Sequence, residues 1–205
     1  MANEKKTLSF DEKIDPSHTA VVIVDVQNMF CRGPLQNVTG VVIEPIKNFL
    51  EKARESGVPI IFIQQDIKAF RDFSLTKELF DRHGRAEIFK EDFDFESAGK
   101  LCIEPQPGDF VIRKTTYSSF FETELENKLR ELGIKTIIAT GVATNVCVET
   151  TVRSAFMHGY YAVIPEDLTA SYDPELRKAA LINMDQNFGE VCKSDKIIDS
   201  WKNRE

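Results

Sequence analysis

The chain has 205 residues, of which 42% are hydrophobic and 29% charged, and it carries a formal net charge of −7. This composition fits one globular domain over 1–205 with a large core, and the acidic balance argues against nucleic acid or an anionic membrane as partner. No apolar run approaches the ~20 residues that span a bilayer. The opening MANEKKTLSF has no apolar stretch of the kind a secretory signal needs, so a cytoplasmic protein is expected. The cysteines at 31, 102, 147 and 192 show no paired spacing and are expected as free thiols, most of them packed as small hydrophobes.

In chain order, the run TAVVIV predicts a first strand over 19–24. Its nearly continuous β-branched character is what burial on both faces of a parallel sheet requires. A helix follows over 41–55, with Ile43, Ile46, Phe49, Leu50 and Ala53 on one face and Gly57 as its stop. A second strand is expected over 59–64. Residues 66–108 then break the rhythm, being rich in Phe, Asp, Glu and Arg without a convincing strand–helix unit. A lid, a subunit contact and a tolerated surface excursion all fit so long a connection.

Beyond it, strands are expected over 109–112, 135–140 and 160–165, with a weaker sixth near 195–198. Helices are expected over 121–132, 145–157 and 174–187; the first of these has Leu125, Leu129 and Leu132 inside. Strand–helix alternation with short links implies a doubly wound α/β fold. The expected form is a Rossmann-like three-layer sandwich with a mostly parallel six-stranded sheet.

Ligands of such sheets bind outside the carboxyl ends of the strands. Asp25 directly follows AVVIV, Lys114 directly follows FVIR, and Cys147 follows TIIAT through the turn GVATNV. Alone, each has a plain reading: a turn former, a solvated strand end, a packed thiol. Together on one edge they suggest nucleophilic chemistry. An ammonium and a helix start favour the thiolate, and Asp25 could take the proton. Backbone N–H groups of the GVATNVC turn could hold an oxyanion, commonly worth ~3 kcal/mol per donor.

The blocks VVIVDVQNMF, VIRKTTYSSFFETELENKLRELGI and ATGVATNVCVETTVRSAFMHGYYAVIPEDLTAS resemble, in this order, the isochorismatase-like cysteine hydrolases. That group includes nicotinamidase, N-carbamoylsarcosine amidase, ureidoacrylate amidohydrolase and biuret hydrolase, and the likeness runs from about residue 19 to the end. The resemblance implies Asp25 as proton shuttle, Lys114 as the stabilising charge and Cys147 as nucleophile. It implies a non-proline cis peptide just before Ala143, with the N–H groups of Ala143 and Cys147 as the oxyanion hole. Gln27 would sit beside the shuttle, and the assembly would be a homo-oligomer, dimer or tetramer.

IFIQQ and KTTYSSFF are similar to the ureidoacrylate and biuret group, which implies that Gln65 and Tyr117 hydrogen-bond a ureido group. Gln65 stands where asparagine is common in the ureidoacrylate enzymes, and the plain alternative is that Tyr117 packs and Gln65 caps a strand. Phe30, Phe120 and Phe121 could wall a small pocket or simply pack. Arg71, Arg82 and Arg85 are candidates for a substrate carboxylate.

Nicotinamidases carry Asp-x-His and a further histidine for a metal. Here the matching stretch is Asp66, Ile67 and Lys68, and the histidines are at 18, 83 and 158. No metal or cofactor is therefore expected. True isochorismatases use the aspartate without a cysteine, and Cys147 points away from them. The expectation is an amidohydrolase for a small-molecule amide or ureido C–N bond, acting through an acyl-enzyme. Alternatives are a nicotinamidase-like or isochorismatase-type hydrolase, or a non-catalytic scaffold of the same fold.

Overall fold

The apolar β-branched runs line up as a parallel sheet. The computed structural model describes residues 7–84 and 90–203. Its strands are β1 (Thr19–Val24), β2 (Ile60–Gln65), β3 (Phe110–Lys114), β4 (Thr136–Val142), β5 (Tyr161–Pro165), β6 (Thr169–Ala170) and β7 (Glu190–Cys192). Six of them run in the order β3-β2-β1-β4-β5-β7, and the two-residue β6 pairs with the end of β4. Every pairing is parallel. Strand order reverses beside β1, so the crevice between the ends of β1 and β4 is the switch point where ligands of such sheets bind.

The helices are α1 (Phe10–Lys13), α2 (Asn28–Cys31), α3 (Ile43–Glu55), α4 (Ile67–Asp72), α5 (Ser74–Arg82), α6 (Phe95–Gly99), α7 (Leu125–Glu131), α8 (Glu149–Met157), α9 (Pro174–Asn187) and α10 (Ser194–Lys202). Alternation along β1 explains the two core layers. Val21 and Ile23 pack with Ile46, Phe49 and Leu50 of α3 and Trp201 of α10. Ala20, Val22 and Val24 pack with Leu125 and Leu129 of α7, Val152 of α8 and Met184 of α9. Each fully buried aliphatic side chain contributes ~1.5–3 kcal/mol. Trp201 also satisfies its indole N–H, which donates to the Ile14 carbonyl at 2.8 Å. Among the described residues no helix is long and apolar enough to cross a membrane.

One expected strand is corrected. Residues 195–198 lie in α10, and the outer strand is β7, only three residues long. Four residues are too few to reveal the period: Ser194, Ile197 and Trp201, all buried, recur at helical spacing. The helix expected over 121–132 begins at Leu125, where the Thr123 hydroxyl accepts from the Leu125 amide at 3.2 Å. The helix expected from 145 opens instead with a five-residue π-type turn, Thr144–Val148, before α8. The stretch 66–108 contributes α4, α5 and α6 and, among its described residues, no sheet strand.

Candidate active site

Two backbone features prepare the crevice. Gly141 takes φ +108, and a Cβ there would lie 2.1 Å from the Val24 carbonyl oxygen, so only glycine lets β1 and β4 approach this closely. Asp25, the next residue after β1, takes φ +54, an uncommon left-handed conformation for a residue with a Cβ. Its amide donates to the Ile63 carbonyl at 3.1 Å, which fixes the turn to β2.

Lys114 ends β3 and reaches past the end of β2. Its Nζ lies 2.8 Å from Asp25 Oδ2, and both side chains are 1% exposed or less. The ammonium also donates to Gln65 Oε1 and to the Thr116 carbonyl, each at 2.8 Å. These additional acceptors offset the desolvation that makes a bare buried ion pair unfavourable. Lys114 and Cys147 both act on the Asp25 carboxylate, whose two oxygens are buried and have no partner of strict hydrogen-bond geometry. The ammonium contact is thus one of charge, and the carboxylate keeps unsatisfied acceptor capacity inside the site.

Cys147 sits in the π-type turn, half-buried against the core layer of α7 and α8. Burial pushes its thiol well above the ordinary thiol range; the Asp25 charge adds to this, and Lys114 opposes it. Lys114 does act toward the thiolate, as expected of a nearby ammonium, but desolvation and the carboxylate outweigh it and the net direction is up. Burial likewise raises the Asp25 carboxyl above its ordinary value, against Lys114. For Lys114, burial acts to lower the ammonium, but Asp25 and Cys147 outweigh it and the net direction is up. The thiol, the carboxyl and the ammonium are thus all held above their ordinary values within one buried group.

The turn carries the non-proline cis peptide Val142–Ala143 that the resemblance implies. Val146 and Val148 both donate their amides to the Ala143 carbonyl, at 3.0 and 3.2 Å. Asn145 is tied to Ser171, just past β6, by a side-chain hydrogen bond.

The remaining expected residues divide into two groups. Gln65 spends its amide inside the protein: Oε1 on Lys114 Nζ, and Nε2 on the carbonyls of Lys114 and Asp66 at 3.1 and 3.3 Å. Gln27, fully buried, accepts from the Gln65 amide at 2.8 Å and donates to the carbonyls of Gln65 and Gly99 at 3.1 and 2.9 Å. Both glutamines hold the frame around Lys114 rather than presenting free amides to a ligand. Tyr117 and Phe30 pack against Ile67 and Phe70 of α4, with the Tyr117 and Phe70 rings 5.6 Å apart.

Phe120 and Phe121 do not join that cluster. Phe120 is stacked 5.0 Å from His158, and Phe121 is 53% exposed. Arg71 pairs with Asp72 at 2.7 Å and lies over Phe95, Arg82 is exposed at the end of α5, and Arg85 lies outside the described residues.

Metal ligation does not fit the stretch after β2. Asp66 Oδ1 accepts from the Ala69 amide at 2.9 Å as the N-cap of α4, and Ile67 and Lys68 supply no imidazole. Among the described residues no three His, Cys, Asp or Glu side chains converge as a ligand set.

Sequence reasoning missed the stitching around Asp25, Lys114 and Cys147. Gln64 and Gln27 both donate to the Gly99 carbonyl, while Asn28 donates to Ser97 and takes part in a contact with Lys100. On the other side, Ser119 and Thr151 hydroxyls meet at 2.8 Å and tie the segment after Lys114 to α8. The only signal for any of this was the failure of 66–108 to fit the strand–helix rhythm.

An isochorismatase domain model matches residues 19–196. A ureidoacrylate amidohydrolase, RutB, of Pantoea ananatis is 36% identical over 208 aligned positions, covering 90% of this chain and 82% of that protein. A cysteine hydrolase structure from Pseudomonas syringae pv. phaseolicola superposes with a TM-score of 0.80 at 27% identity, covering 98% of this chain and 99% of that one. An N-carbamoylsarcosine amidase from Thermoplasma acidophilum shares the fold, with a TM-score of 0.68 at 24% identity over 87% of this chain and 97% of that one.

Proposed function

This chain belongs to the isochorismatase family, and we propose that within it the chain is a cysteine-dependent amidohydrolase cleaving a small amide or ureido C–N bond. The observation that supports this most is the buried contact of Lys114 Nζ with Asp25 Oδ2 at 2.8 Å, with the Cys147 thiol acting on both groups. The 36% identity to a ureidoacrylate amidohydrolase supports a ureido acid as the first substrate to try.

In this reading Cys147 Sγ attacks the carbonyl carbon while Asp25 takes the thiol proton. A thiol that is protonated at rest needs such a base within reach, and a carboxylate with open lone pairs supplies it. The ammonium of Lys114 keeps Asp25 ionised before the step and balances charge as sulfur loses its proton. The amides of Ala143 and Cys147 receive the developing oxyanion. Asp25 then passes its proton to the departing nitrogen, which leaves a thioester on Cys147. Water, deprotonated by the same carboxylate, hydrolyses the thioester and restores the thiol.

Gln65 is here a positioning residue that aims the ammonium, and Tyr117 with its aromatic neighbours forms the wall of the substrate site. The working assembly is a homo-oligomer, dimer or tetramer, which light scattering checks directly.

The test is a screen of ureidoacrylate, biuret, carbamoyl amino acids and nicotinamide for ammonia release by the parent and Cys147→Ser. A loss of about 10³-fold or more in kcat on an accepted substrate is expected. Equal turnover by variant and parent would remove the cysteine mechanism.

A further inference from the structure

Two thiols that the proposed reaction does not use lie side by side behind the site. Cys31 is the last residue of α2 and is fully buried; Cys102 is half-buried on the arm leading from α6 back toward β3. That arm is fastened to the segment that follows Asp25. Cys102 donates its amide to the Val26 carbonyl at 2.8 Å, Leu101 forms an antiparallel bridge with Gln27, and the Asn28 amide donates to the Lys100 carbonyl at 2.9 Å.

The side chains continue this contact. Cys102 Sγ lies 3.5 Å from Asn28 Oδ1, and Cys31 is one helical turn beyond Asn28 on α2, so it follows on the same face. Both cysteines pack in the core layer of α3 and α10, and each thiol acts on the titration of the other. Arg32 adds a hydrogen bond and a positive charge on the Cys102 side.

The neighbouring Cys31 thiol and the Arg32 charge outweigh burial at Cys102 and hold it below the ordinary thiol value, while Cys31 is pushed above it by Cys102 and by burial. Of the two, Cys102, half-buried beside Arg32, is held on the lower side and the fully buried Cys31 on the higher. That asymmetry suits an attacking and a resolving cysteine.

We propose that Cys31 and Cys102 are a redox-active dithiol, a modification site separate from the candidate active site, that a hydroperoxide oxidises to an intramolecular disulfide. The Cys102 thiolate attacks one peroxide oxygen; the O–O bond breaks, hydroxide leaves, and Cys102 becomes a sulfenic acid. The Cys31 sulfur then attacks the sulfenic sulfur. An S–S bond forms, the S–O bond breaks, and the hydroxyl departs with the Cys31 proton as water. The two sulfurs give up two electrons, and with hydrogen peroxide as oxidant two waters result once the hydroxide takes the proton Cys102 had lost. The new bond clips α2 to the return arm of the excursion, a few residues from Asp25.

The full-length parent, treated with hydrogen peroxide at pH 7, alkylated and digested without reductant, decides this by mass spectrometry. A Cys31–Cys102 linked peptide, lighter by two hydrogens and separated again by dithiothreitol, is expected. Before oxidation, iodoacetamide should label Cys102 at least about tenfold faster than Cys192. In Cys31→Ala the linked peptide should vanish and dimedone should trap the Cys102 sulfenic acid; Cys102→Ser should abolish both signals. Should a variant fail to fold, the linked peptide in the parent still decides. Both cysteines remaining free to alkylate after the peroxide is consumed, or Cys102 labelling no faster than Cys192, would overturn the assignment. The readout does not depend on turnover, so a parent inactive on every screened substrate would count against the proposed reaction and not against this pair.

Discussion

The strand ends and the excursion of residues 66–108 meet at the same edge of the sheet, but they are held there by different forces. At the strand ends, backbone ladders set the position: Val24 is in register with Gly141, and Gln65 with Lys114. Asp25 and Lys114 therefore inherit the precision of a buried sheet. Among its described residues the excursion forms helices of six, nine and five residues, too short to be stable alone. It is held by side-chain amides on a few carbonyls, by a short backbone bridge of residues 100–102 to residues 26–28, and by the aromatic cluster around Phe70. Asp25 and Lys114 thus sit on the sheet ladder, and the excursion rests on contacts able to open at lower cost.

The contrast can be broken at four points. Gly141→Ala acts on the ladder itself, since the new Cβ would lie 2.1 Å from the Val24 carbonyl oxygen. A loss of about 4 kcal/mol or more, or failure to fold, is expected by urea denaturation. Lys114→Met leaves the Asp25 carboxylate buried and uncompensated, for an expected loss of about 3–5 kcal/mol together with the activity. Gln27→Ala strikes the join between the regions: it removes three hydrogen bonds and leaves the Gln65 amide without its acceptor, while the Gly99 carbonyl keeps only Gln64. A loss of about 2–3 kcal/mol is expected. Limited proteolysis should cut first within 66–108 and leave the sheet intact; cleavage at unchanged rate would show that the excursion does not hang on this residue.

The fourth point is the pH dependence. Asp25 is raised above 3.8, so with Asp25 as the proposed base kcat/KM should fall with pH through a value above the ordinary carboxylate range. Lys114 is raised above 10.5; its contribution to stability is complete below pH 10.5 and is lost as pH climbs through its folded value. The Cys147 thiol is pushed above its ordinary 9.0, so kcat/KM should show no rise centred near pH 9. A rise there would mean that free thiolate, not a thiol paired with a base, is the attacking form.

Much of the strand-end region was legible in the sequence, and little of the excursion was. Asp25, Lys114 and the Cys147 turn each follow an apolar β-branched run, and parallel topology brings such ends to one edge whatever lies between. Gln65 was visible as a residue but not in its role, because its partner is a lysine 49 positions away. The stitching of Gln27, Gln64 and Asn28 to residues 97–102 joins polar side chains to backbone carbonyls, a contact with no periodicity to read. The strand expected at 195–198 failed for the opposite reason: Ile197 and Ile198 are apolar and β-branched, but Trp201 three residues on completes a helical face that a short window cannot contain.

The most direct measurement is the intact mass of enzyme quenched within milliseconds of mixing with an accepted ureido substrate. An acyl adduct that maps to Cys147, forms before ammonia is released in the steady state and is absent from Cys147→Ala is the expected result. Full turnover with no adduct at residue 147, and with activity retained in the alanine variant, would contradict it.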